Sequence, residues 1–411
     1  MFITYLDRIC IGLVGKRVMT EFHLTNEQFG WVLSAFSLAY ALFEIPSGVL
    51  GDRRGQKMVL TRIVLWWSLF TFLTGAATGL LSLILLRFLF GMGEAGALPN
   101  ASGVISRWMP ANELSRGVAA TLVGQIAGAA FAPFIVVPIA IAFGWRATFF
   151  VNAFIGLLWV VVCVRWFRNN PSEMRGITEE EKDFIERNRC FASHSQTISW
   201  KKLLANRSLL ALVSAFFCSQ WCMYFFIAWM PVYLQQGRHF SENNMKFITA
   251  LIFIPAIATS LLGGMFSDWL VKRKGLKFGR RSIGMLSMGV NSILFLIEAT
   301  TNNDTVLVIS FIVGFACQLI LGVIAFAVCL DIGGSHVGAV SGFMNCIGQI
   351  GAFFLAIVFG KIVDATHNFN SPLFVIAALL FLGSLLWFAV DPTKTLVTET
   401  EKIAAREPVL S

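Results

Sequence analysis

The sequence predicts an all-α integral membrane protein, with twelve transmembrane helices arranged as two six-helix bundles. Three observations lead there. The hydrophobic fraction is 56% and the charged fraction 13%, whereas soluble domains carry about 25% charged residues. Apolar runs of about 20 residues, each long enough to cross a bilayer, recur along the whole chain. These runs fall six and six around a single polar stretch, 168–207.

The first apolar segment starts at Met1, is interrupted by Asp7-Arg8 and ends at Lys16-Arg17. Few residues precede Asp7, so this helix falls several residues short on its N-terminal side, as a misplaced start or a truncated copy would. Spans at 28–50, 58–77, 80–106, 117–143 and 146–167 complete an N-terminal bundle over 1–167. The polar stretch 168–207 forms a central loop. Inside it, Thr178-x-x-Glu181 is a capping-box pattern that opens the charged helix TEEEKDFIERNR. SWKKLLANRS follows as a short amphipathic piece for the membrane surface. The second bundle, 208–391, holds spans at 208–236, 243–269, 282–300, 304–333, 335–363 and 371–390, and a polar tail fills 392–411. Pro46, Pro99, Pro133 and Pro255 lie inside spans, where they can kink a helix or serve packing alone.

Charge fixes an expected orientation. The loops at 51–62, 107–116, 168–207 and 270–281, with the tail, hold 23 of the 32 Lys and Arg, against six on the other side. By the positive-inside rule, both termini and the central loop are cytoplasmic, in a cell (inner) membrane. The net charge of +9 belongs to these loops and carries no signal for nucleic acid. Seven of the eight cysteines sit in apolar segments and Cys190 in a loop. Without paired spacing or metal spacing they read as small buried hydrophobes. No metal and no cofactor are expected. A membrane enzyme would need a nucleophile–base pair or a metal cluster, and the sequence offers neither pattern.

A weak repeat links the halves. GVLGDRRGQK (Gly48 to Lys57) follows the second span, and GMFSDWLVKRKG (Gly264 to Gly275) follows the eighth. Both set Gly-x-x-x-Asp before a basic cluster, which makes Gly48, Asp52, Arg53, Gly55 and Asp268 a candidate conformational-loop motif.

The most informative stretch is LLRFLFGMGEAGALPN, Leu85 to Asn100. It is apolar enough to span, yet carries Arg87 and Glu94. Charges at that depth are costly and usually face a protein interior or a watery cavity. The two are about 10 Å apart along a helix axis, too far for an easy pair. Each therefore needs a partner from another helix, and Asp7 and Arg8 are the best candidates. Gly91, Gly93, Gly96 and Ala97 let a neighbouring helix approach closely. The plainer reading is that these charges only pin helices together.

Two halves, a central loop and the repeated loop motif resemble the major facilitator superfamily. YLDR (Tyr5 to Arg8), SAFSLAYALFEIPSG (Ser34 to Gly48), WSLFTFLTG (Trp67 to Gly75), RFLFGMGEAGALPNA (Arg87 to Ala101), RWMP (Arg107 to Pro110) and GWRATF (Gly144 to Phe149) resemble its anion:cation symporter family. AWMPVYL (Ala228 to Leu234), LDIGG (Leu330 to Gly334) and SGFMNCIGQIG (Ser341 to Gly351) extend the likeness over nearly the whole chain. The resemblance is to sugar-acid permeases of the galactonate, glucarate and hexuronate types. It implies proton-coupled symport of a small organic anion by alternating access, with the bilayer, the anion and protons as partners and a monomer as the working unit.

The resemblance also implies roles. Arg8 contacts the substrate anion, for which a guanidinium offers a planar fork; its alternative role is as partner to Glu94. Asp7 and Glu94 are proton carriers and Arg87 a switchable partner. Desolvation favours a neutral carboxyl, a nearby Arg favours the charged one, and an anion that occupies the Arg would thereby bring a proton with it. Tyr40 matches a cavity position. Glu44, one turn later on the same face, departs from the Gln that relatives carry. It could bind a second proton, alter stoichiometry or pair with Arg8. Tyr5, Gln125, Tyr224 and Asn345 match polar or aromatic cavity positions. Gly322 to Ala325 reads GVIA where the galactonate type has Ser, Thr and Trp, which argues for a less hydroxylated carboxylate. Exchange or efflux of anions, and a non-transporting sensor on the same fold, are the competing readings.

Overall fold

The computed structural model describes residues 1–110, 113–174, 176–188 and 200–396, and these residues are helical with short connections. Eleven helices or helix pairs among them are long and apolar enough to cross a membrane. The twelfth crossing is the pair α1 (Phe2–Leu13) and α2 (Gly15–Phe22), which meet at Val14. Only α1 is apolar; α2 reads GKRVMTEF.

The first half continues with α3 (Asn26–Arg54), α4 (Gln56–Gly75), α5 (Leu80–Glu94), α6 (Ala97–Trp108), α7 (Leu114–Phe143) and α8 (Trp145–Trp166). The fourth crossing, expected as one helix over 80–106, is two. Pro99 lacks the N–H that would bond the Ala95 carbonyl, and the chain breaks at Ala95-Gly96. By contrast Pro46, Pro133 and Pro255 remain within α3, α7 and α13. In the central loop α9 (Glu179–Asn188) starts where the capping pattern places it, with Glu181 N–H bonded to Thr178 Oγ1 at 3.2 Å. The surface piece forms α10 (Trp200–Ala205).

The second half starts with α11 (Arg207–Tyr224), which passes into wide π-helical turns at Phe225–Trp229 and Tyr233–Gly237, with α12 (Met230–Val232) between them. Pro231 stands in this interval and removes another helical donor. Then come α13 (Glu242–Lys274), α14 (Leu276–Thr300), α15 (Asp304–Gly333), α16 (Val337–Thr366) and α17 (Ser371–Leu386). Starts are set by polar caps. Gln28 N–H bonds Thr25 Oγ1 and Thr25 N–H bonds Gln28 Oε1 at the head of α3, and Ser241 and Asn303 cap α13 and α15. The repeat appears in the turns: α3 ends on Gly55 and α13 on Gly275, both at φ +85°, a conformation open to glycine.

The halves meet along α3–α16, α7–α13 and α1 against the π-helical turns. At the face opposite the basic loops the contact is close. Arg17 pairs with Glu242 through two bonds of 2.8 and 2.9 Å. Asp364 accepts from Asn26 N–H, Asn26 Nδ2 and Glu27 N–H at 3.1, 2.7 and 2.8 Å. Gly30 lies on the Ala356 carbonyl and Gly360 on the Asn26 carbonyl, with no room for a Cβ at either. Toward the basic loops the packing loosens. Gly322, Gly338 and Gly342 face open space, with no atom within 4 Å of where a Cβ would stand. Near that end Asn345 bonds Glu44 and Cys346 bonds the Ala41 carbonyl across the halves. The molecule is closed at the Arg17 face.

Candidate functional site: a charged cluster between the halves

The cluster is built on α1. Tyr5 and Arg8 are about one turn apart and share a face, which α1 turns toward α3 and α11. Asp7 is rotated by about 100° and points back into the first half, within electrostatic reach of Arg87 and Glu94 on α5 and beside Asn152 on α8. One dipeptide thereby serves two environments.

Arg8 Nε donates to Glu94 Oε1, and the pair is buried: Arg8 keeps 9% of its side-chain exposure and Glu94 none. The difference decides which member a solute can reach, and it is Arg8. The guanidinium also lies over the rings of Tyr40, Tyr5 and Phe36, at 4.7, 5.1 and 5.1 Å from their centroids, all within cation–π range. Arg87 packs over Phe90 at 4.6 Å and over Phe36 at 5.2 Å. The Phe36 ring is therefore shared by two guanidiniums.

Arg8, Arg87, Asp7 and Glu94 make two positive and two negative groups. A set of this kind survives in an apolar interior only because its members compensate one another. Compensation is incomplete in hydrogen bonds. Both Asp7 oxygens, Glu94 Oε2, Arg87 Nε and both polar atoms of the Asn152 amide are buried without a partner at bonding distance. Among the described residues the ion pair that closes is Arg8–Glu94, and Arg87 stands near both acids without bonding either. The arrangement thus holds donor and acceptor capacity in reserve around one engaged pair.

The other sequence-derived residues are placed as follows. Tyr40 lies between Arg8 and Glu44, interacting with both. Glu44 receives the Asn345 Nδ2 at 2.7 Å on each carboxylate oxygen, so these two bridge the halves. Tyr224 donates to Gln349 Oε1 at 2.6 Å and lies within electrostatic reach of Arg8. Gln125 contacts Met1 Sδ at 3.7 Å, at the start of α1, and the terminal ammonium of Met1 lies within electrostatic reach of Glu94. In the loop motif, Gly48 abuts Pro99 and Arg53 is exposed. The Asp52 side chain lies outside the described residues. Asp268 accepts from Arg280 at 3.1 Å, and Arg280 also holds Ser267 Oγ at 2.8 Å and Asp331 at 3.2 Å. Asp331 belongs to the LDIGG segment, so the motif ties three helices at the basic end.

Sequence reasoning missed Phe36, Asn152 and Gln349. Phe36 sits one turn before Tyr40 and could have been found by extending that face of α3. Asn152 and Gln349 are polar residues in spans, but nothing in their local sequence says which cluster they enter.

Comparison with known proteins places the chain in a family. The model of the Major Facilitator Superfamily matches residues 1–356. A protein of Cupriavidus necator named as a probable sulfoacetate transporter is 31% identical over 98% of this chain and 94% of its own. The hexuronate transporter of Bacillus subtilis is 29% identical over 93% of this chain and 90% of its own. A probable galactarate/D-glucarate transporter from the same organism is 30% identical over 97% and 91%. Among solved structures, a bacterial homolog of the human lysosomal transporter Spinster superposes with a TM-score of 0.74 at 17% identity, covering 95% of this chain and 94% of the other.

Proposed function

The chain belongs to the Major Facilitator Superfamily, among its sugar-acid permease-like members, and from that premise we propose that it moves a small organic anion across the membrane together with protons. It is a multi-pass membrane protein and not an enzyme. The substrate is a carboxylate or sulfonate of few hydroxyl groups, in keeping with the relative named for sulfoacetate and with the apolar Gly322 to Ala325 segment, and unlike the polyhydroxylated acids for which the hexuronate and galactarate relatives are named. The basic loops face the cytoplasm of an inner-membrane protein, with both termini on that side. The state described is then open to the cytoplasm, and one chain contains the whole pathway and works as a monomer.

The observation that carries this reading is the Arg8–Glu94 pair set at the junction of the halves, with Arg8 the accessible partner. An entering anion takes the Arg8 fork in two hydrogen bonds. Glu94 then loses its only bonded partner among the described residues. A buried carboxylate without a partner is unstable as an anion and takes up a proton. Asp7 and Arg87 share the same field, so charge moved at Glu94 is felt by both. When the anion leaves, Arg8 returns to Glu94 and expels the proton. Tyr5, Tyr40 and Tyr224 surround the anion with hydroxyl groups. Binding of this kind couples the two solutes without a dedicated moving part, and rocking of the halves about the cluster supplies alternating access.

The test is ligand stabilisation of the purified protein. Small carboxylates and sulfonates raise the thermal midpoint of the wild type and leave Arg8→Gln unmoved. Stabilisation by cations, or anion stabilisation that survives Arg8→Gln, would count against the assignment.

A further inference from the structure

Each half bears a groove on its outer surface, and the two occupy repeat-related places. The first, of about 570 Å³, runs along the outer face of the third crossing, α4, where Met58, Leu65, Trp66 and Leu69 line it, and reaches the sixth crossing, α8, at Val164. The second, of about 1020 Å³, lies between the ninth and twelfth, α14 and α17. Leu286, Ile293 and Phe381 stand at its rim, and the small residues Gly289, Ala377, Ala378 and Ser384 line it between them. The rim residues of both are exposed apolar side chains within crossing helices, so both grooves open on the hydrocarbon of the bilayer.

Basic residues stand at the same end of each. In the first half Lys57 Nζ bonds the Val164 carbonyl at 3.0 Å, with Arg62 exposed one turn further along the groove. In the second, Arg281 Nε bonds the Val390 carbonyl at 3.2 Å. Lys57 and Arg281 start the third and ninth crossings, and Val164 and Val390 end the sixth and twelfth. The same tie is made twice, beside the basic loops. From Arg281 to Leu296 the second groove runs about 22 Å at 1.5 Å per residue, the scale of an extended acyl chain.

We propose that each half holds one anionic phospholipid of the leaflet on the basic-loop side. One acyl chain lies in the groove and the headgroup phosphate sits against Arg62 and Lys57 in the first half and Arg281 in the second. Basic pockets between transmembrane helices are suited to anionic headgroups. A concave lining of small residues suits a single flexible chain better than it suits a second copy of this protein. Lys277, close by, is already paired with Asp391 at 2.7 Å, which leaves Arg281 as the headgroup contact.

Native mass spectrometry of the full-length protein in neutral detergent tests this, with phosphatidylglycerol and phosphatidylcholine of the same chains as probes. The wild type retains two phosphatidylglycerols per chain. Arg62→Gln and Arg281→Gln each weaken one of them about fivefold, and the double variant weakens both. Ala378→Phe, which fills the second groove and leaves every charge in place, displaces one lipid. Equal retention of phosphatidylcholine, a lipid count unchanged in Arg62→Gln and Ala378→Phe, or a dimer joined through these faces would overturn the proposal.

Discussion

Arg8 and Glu94 form a buried pair in which a planar guanidinium is already stacked on three rings, and this sets what substitutions do. Arg8→Lys keeps the charge and loses the fork and the stacking. It is expected to weaken anion binding by about ten- to a hundredfold, the scale of one charge-assisted hydrogen bond, measured by titration of the purified protein. Glu44 presents a different case. In this state it holds Asn345 across the halves, an arrangement that Gln can reproduce with one oxygen. Glu44→Gln is therefore expected to leave the number of protons per anion unchanged, read from the reversal potential, whereas a decrease would make Glu44 a proton carrier. The charged residues were legible in the sequence because ionisable side chains stand out in apolar runs. Phe36 was not, since a ring in an apolar helix looks like every other core residue until two guanidiniums are found on it. That Asn345 would meet Glu44 was also beyond reach, because the register of α16 on α3 is set by packing between halves.

The helices carry the closure of the Arg17 face. Gly30 and Gly360 lie directly on carbonyls of the opposite half, so backbone meets backbone there. A side chain at either position must hold the halves apart. Gly360→Leu is expected to lengthen the distance between spin labels at Thr20 and Asn244 and to lower transport, while Gly338→Leu, at an open position, leaves the distance as it is. An unchanged distance in Gly360→Leu would remove the glycines from the closure. Arg17–Glu242 contributes less, since both side chains are about one-third exposed; such pairs are worth about 0–1 kcal/mol. Nine of the crossings were legible as single apolar runs. The break before Pro99 and the widened turns around Pro231 were not, because a proline in a span is compatible with a kink, a break or a continuous helix. Neighbouring helices decide among these by supplying or denying partners for the freed carbonyls.

At the scale of the molecule, two similar halves share a buried cluster that lies mainly in the first. The repeat was legible in the two Gly-x-x-x-Asp segments, and it returns as paired left-handed glycines, Gly55 and Gly275, and as paired grooves. The asymmetry of buried charge between the halves was legible too, because Asp7, Arg8, Arg87 and Glu94 all precede the central loop. The open face was not, since one sequence serves every state of a transport cycle and only contacts distinguish them. The decisive measurement is uptake of labelled carboxylates and sulfonates into proteoliposomes under an inward proton gradient. The account predicts concentrative uptake that collapses with the gradient and is absent in Arg8→Gln, with Glu94→Gln still exchanging anion across the membrane but no longer accumulating it. Accumulation that persists without the gradient, or an anion bound by the wild type and never moved, would contradict it.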